Sequence, residues 1–61
     1  MRGAKVCLAM LDSQEMEKMQ QFLQAYGFQV VDMSTDGSSA IRRIRTLLPD
    51  LIIADYNLHG I

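Results

Sequence analysis

Asp55 follows four apolar residues in a row, Leu51-Ile52-Ile53-Ala54, which in turn follow Pro49-Asp50. An unbroken apolar run this short predicts a strand buried on both faces, the usual state of a central parallel strand. That places the Asp55 carboxylate at the carboxyl end of a strand, where open α/β sheets build their sites. A plainer role competes with this one: Asp is depleted in strands and favoured in turns, so Asp55 also suits a residue that only ends the strand. His59, four residues further on, invites a metal or phosphate-relay role, but a lone histidine in a loop reads as a solvated surface group. Cys7 is the only cysteine and lies within the apolar run Val6-Cys7-Leu8-Ala9-Met10-Leu11. It forms no disulfide framework and reads as a small buried hydrophobe in a reducing compartment.

The elements that must position these residues are legible from periodicity. The run from Val6 to Leu11 predicts a buried first strand. Asp12 can cap the helix that follows, with Glu15 three residues on completing a capping box. From Ser13 to Tyr26 there is no Gly, Pro or β-branched residue. Met16, Met19, Leu23 and Tyr26 recur at helical spacing, with Phe22 widening the stripe. Gly27 suits the left-handed position that stops the helix. Phe28 to Met33, with its β-branched pair, predicts a strand with one face less buried, at a sheet edge. Ser34-Thr35-Asp36-Gly37 is loop chemistry, and Ser38 or Ser39 can cap a second helix reaching about Leu48. Its apolar positions are Ala40, Ile41, Ile44, Leu47 and Leu48, with Arg42, Arg43 and Arg45 on the opposite side or flank. Pro49 ends it, and the strand Leu51–Ala54 follows.

The order strand, helix, strand, helix, strand predicts two right-handed parallel crossovers. The expected fold is an α/β parallel sheet with strand order second, first, third and one helix on each face.

Composition narrows the function classes. Six basic and seven acidic residues balance to a net charge of −1, which gives no direct reason for nucleic acid or an anionic membrane as partner. No apolar run approaches the ~18 residues of a membrane span, and residues 1–5 do not form a signal peptide. The expected compartment is the cytoplasm. A chain of 61 residues buries only roughly 60% of its unfolded surface and is marginal as a lone core.

Three stretches resemble the receiver domain of bacterial two-component response regulators, a flavodoxin-like fold. Ala25-Tyr26-Gly27-Phe28-Gln29-Val30-Val31 looks like that family's turn from first helix to second strand, and Ser34 to Ile41 looks like its loop into the second helix. Pro49-Asp50-Leu51-Ile52-Ile53-Ala54-Asp55 looks like its third strand, and Leu58-His59-Gly60 resembles the turn after it, with His59 where proline is usual. The resemblance covers the whole chain but only the N-terminal half of the domain. On that reading, residues 1–61 lack the rest of the receiver and any output domain.

The resemblance implies that Asp55 is the phospho-acceptor, that a histidine kinase is the donor, and that an attached output domain, of a DNA- or RNA-binding kind, carries the response. It implies a signalling module and not an enzyme. It also implies an acidic pair at the end of the first strand to hold Mg²⁺. Counted back from Gly27 without gaps, that pair falls on Met10 and Leu11. A thioether and an isobutyl group offer no oxygen to a hard cation. Asp55 alone is left to touch a metal, weakly, and no cofactor is assigned. Two functions therefore stand: a phospho-accepting receiver switched at Asp55, or a pseudo-receiver that keeps the fold and its partner surfaces and works without phosphate. A flavin site on the same sheet type would need Gly, Ser and Thr in the first loop, where Asp12-Ser13-Gln14-Glu15 is acidic. The third strand, with apolar residues on both faces and no Pro or Lys within it, further predicts pairing with a second copy through an open edge.

Overall fold

The computed structural model describes residues 3–58. His59 and Gly60, invoked for the turn after the third strand, lie outside the described residues. The elements are β1 (Lys5–Ala9), α1 (Ser13–Ala25), β2 (Gln29–Ser34), α2 (Gly37–Leu47) and β3 (Leu51–Ala54). The three strands form one parallel sheet in the order β2-β1-β3.

β1 is the axis of the molecule. Val6, Cys7, Leu8 and Ala9 are all buried, because both neighbours are strands and both faces carry a helix. The strand's alternation sorts them into two layers. Val6 and Leu8 pack with Met16 and Leu23 of α1, joined by Val30 and Ile53 from the flanking strands. Ala9 packs with Ala40 and Ile44 of α2 and with Leu58, on the opposite face. Small residues of β1 therefore face α2 and large ones face α1.

β1 is shorter than its apolar run. It ends at Ala9, and Leu11 is exposed and outside the sheet. The reason is a competing hydrogen-bond acceptor: the Leu11 N–H donates to the Asp55 carboxylate and not to a strand. α1 starts at the expected cap, Asp12, but the reciprocal half of the capping box does not form, because the Glu15 carboxylate pairs with Lys18 at 3.6 Å. Asp12 Oδ1 accepts from the N–H groups of Gln14 and Glu15 at 2.9 and 3.2 Å. At the other end, Gly27 takes φ 89° and its N–H donates to the Gln24 carbonyl. The apolar stripe narrows toward that end. Met16 and Leu23 are buried, whereas Phe22 and Tyr26 are exposed and meet at a tilt of 47° with centroids 4.9 Å apart.

β2 is an edge strand, as its pattern predicts, and it carries an irregularity. Val6 pairs with Val30 but Cys7 pairs with Asp32, so Val31 is an extra residue. The extra residue turns Asp32 to the α2 face, where its Oδ1 meets Arg43 Nε at 3.2 Å and its Oδ2 accepts from the Ser34 hydroxyl. Without it, Asp32 would share the apolar face of Val30.

α2 begins one residue before the serines expected to cap it. Asp36 is the cap, its Oδ2 accepting the Ser39 N–H at 2.9 Å. A carboxylate meets the helix dipole as well as the orphan N–H, which a serine hydroxyl does not. The helix closes through Leu48, whose N–H donates to the Ile44 carbonyl while its backbone sits at φ 49°, ψ 62°. No helix among the described residues is long and apolar enough to cross a membrane.

Candidate functional site

The candidate site is the carboxyl end of the sheet, where β1 and β3 stop side by side. β3 runs in register with β1 from the Val6–Leu51 pair to the Ala9–Ala54 pair. Asp55 is the first residue beyond that ladder. Its N–H donates to the Ala9 carbonyl at 2.9 Å, which holds the residue against β1. Its side-chain Oδ2 accepts the Leu11 N–H at 2.7 Å. A carboxylate accepting an amide at this distance is a charge-assisted bond, stronger than a neutral one. Its backbone carbonyl accepts the Leu58 N–H at 3.2 Å, closing a turn through Tyr56 and Asn57 that returns Leu58 to the α2 layer. Asp55 is half-buried, and Oδ1 takes no hydrogen bond from a described residue.

Asp50 repeats this arrangement at the other end of β3, which sequence reading did not foresee. Its N–H donates to the Lys5 carbonyl, and its Oδ2 accepts the Lys5 N–H, both at 2.8 Å. β3 is thus clipped to β1 by an aspartate at each end. The sequence signal for this was present: each carboxylate abuts the apolar run directly, one before it and one after.

The residues at the acidic-pair positions do not surround Asp55 with oxygen. Met10 is half-buried against the Val6, Leu8, Met16 and Leu23 layer. Leu11 contributes its N–H, a donor, and its side chain is exposed. Asp12, one position later, is committed to the start of α1. Among the described residues, no three His, Cys, Asp or Glu side chains come together. Mg²⁺ takes oxygen ligands in near-octahedral geometry, usually one or two carboxylates with several waters. Asp55 offers such an ion one carboxylate oxygen that no described donor occupies, and the Met10 and Leu11 side chains offer none.

Two further features border the site. Cys7 is buried on the α2 side of β1; burial, then the Asp32 carboxylate, push its thiol above the ordinary range, with Arg43 acting in the opposite sense. An open groove of about 400 Å³ runs beside α1, lined by Met10, Glu15, Lys18, Met19 and Phe22, and Asp55 is not part of it. No family model matches the chain, and neither a curated protein nor a solved structure matches it.

Proposed function

We propose that this chain is a receiver-type signalling module that works through protein contacts and not through metal-assisted phosphoryl transfer. The observation that carries the reading is the Asp55–Leu11 hydrogen bond. In a module switched by phosphate, the carboxylate must stay available and a cation must neutralise the incoming charge. Here one carboxylate oxygen holds the β1–α1 connection, and the neighbouring side chains are a thioether and an isobutyl group. The partners implied are a histidine kinase or another protein of the same signalling chain, and an output domain. The sheet type and the β2-β1-β3 order support the reading, as does the capped connection at Asp12.

A second reading, the phospho-accepting one, draws on a separate observation: Asp55 Oδ1 takes no described donor at the carboxyl end of β3. One experiment separates them. The chain is incubated with a small acyl phosphate and Mg²⁺, and its intact mass is followed over hours. The expected outcome is no phosphoryl adduct. An adduct that forms on the wild-type chain and is lost in Asp55→Asn would establish the second reading in place of the first.

A further inference from the structure

We propose that the solvent face of α2, built on Arg42, Arg43 and Arg45, is a docking site for a short acidic segment of a partner protein. The inference stands on this helix and does not depend on the receiver-type reading. Half of the chain's basic residues are these three, and α2 holds no acidic residue from Gly37 to Leu47. α2 packs on β1 and β2 and not on β3, and all three arginines are exposed. On the helix surface, Arg42 meets Ser38, Ser39, Arg45 and Thr46 at spacings of three and four. A like charge at that spacing destabilises a helix, and no carboxylate within α2 answers it. Arg42 donates to the neutral Ser39 hydroxyl at 3.4 Å, and Arg43 gives its Nε–H to Asp32. Among the described residues, neither Arg42 nor Arg45 is in an ion pair, whereas Lys18 of α1 is held by Glu15. Arg45, in the last turn, gains from the helix dipole; Arg42 lies too far from that end to do so.

The surroundings of the arginines decide which anion fits. A guanidinium is a planar fork that meets a carboxylate or a phosphate with two N–H bonds, so chemistry alone admits either. The positive strip is short, because α2 has 11 residues, or about 16 Å of helix. Carboxylates bound it: Asp36 at its start, Asp50 three residues past its end, and Asp32 on the β2 side. A nucleic-acid backbone or an anionic membrane carries negative charge over a longer span and meets those carboxylates as well. The net charge of −1 acts in the same sense. A protein segment with a few Glu or Asp residues over two helical turns matches the strip and stops short of its acidic borders. The charge pattern therefore selects a short acidic peptide over an extended polyanion.

The test uses the full 61-residue chain, labelled with ¹⁵N, at low salt. One probe is a capped peptide of glutamates spaced by alanine and serine, and its control has glutamine at each glutamate. A third probe is a single-stranded DNA of about ten nucleotides. The expected result is perturbation of the α2 amides and the arginine Nε signals, with the glutamate peptide binding about tenfold more tightly than its control. That preference should shrink to about twofold or less in Arg42→Gln/Arg45→Gln, which breaks no ion pair among the described residues. Should the double variant lose its dispersed spectrum, the wild type in about 1 M salt gives the same readout, since screening there falls to ~3 Å. Equal affinities for the two peptides would overturn the proposal. So would perturbations centred on Lys5 or Lys18, or a DNA that binds more tightly than the glutamate peptide.

Discussion

At the residue scale, aspartate does three separate jobs in this chain, and its surroundings choose among them. Asp12 and Asp36 sit where a helix begins and satisfy orphan N–H groups. Asp50 and Asp55 sit where a strand begins and ends and tie it to its neighbour. Asp32 is turned inward by an extra residue and is held by Arg43 and Ser34. The Asp55 bond is the one on which the functional reading depends, so its energetic weight is worth measuring. Leu11 is exposed, and water can replace the lost acceptor there. Asp55→Ala is therefore expected to cost about 1.5 kcal/mol, the lower end of the range for a hydrogen bond to a charged group, and Asp55→Asn less. Urea unfolding gives the number, and the Leu11 amide should exchange faster in the alanine variant. An Asp55→Ala chain as stable as the wild type would remove the structural role assigned to this carboxylate.

At the element scale, the connections carry more strain than the elements. α2 ends on Leu48, a γ-branched residue held in the left-handed region at φ 49° with its side chain 75% exposed. For an L-residue with a Cβ that conformation costs roughly 1–2 kcal/mol. Pro49 follows and prevents the helix from continuing, so the turn has no relaxed alternative nearby. Glycine occupies this geometry freely, at the expense of a more flexible unfolded chain. Leu48→Gly is expected to stabilise the protein by about 0.5–1 kcal/mol, seen as a higher urea midpoint with an unchanged slope. At the end of α1, Gly27 already fills the equivalent role at φ 89°. The contrast explains why the first helix–strand connection matches its sequence signature and the second does not.

At the scale of the whole molecule, stability is concentrated in one strand. Val6 and Leu8 are the largest fully buried side chains, and the buried members of the larger core layer are these two with Met16 and Leu23. Leu8→Ala removes the centre of that layer and is expected to cost about 3 kcal/mol. Against the 5–15 kcal/mol typical of whole domains, that is a large share for a chain of 61 residues. The variant should lose its cooperative thermal transition by circular dichroism, and a sharp transition near the wild-type temperature would show a more distributed core.

The sequence by itself determined the elements, their order and the parallel sheet. Apolar runs bounded by Asp, Gly and Pro are local signals, and right-handed crossovers leave few ways to connect them. Asp12 as a helix cap and Gly27 as a helix stop were legible for the same reason: each answers backbone groups within a few residues. The tertiary structure decided what depends on partners distant in the chain. Met10 and Leu11 read as strand, yet β1 stops at Ala9 because Leu11 bonds to a carboxylate 44 residues away. Phe22 and Tyr26 fit the stripe of α1, yet both are exposed and meet each other at a tilt outside the core. Asp36 displaced two plausible serines because a carboxylate also meets the helix dipole. The pairing of Asp50 with Lys5 and of Asp55 with Leu11 needed strand register as well as composition. Register is a property of two strands together, so neither residue's role could be read from its own neighbours.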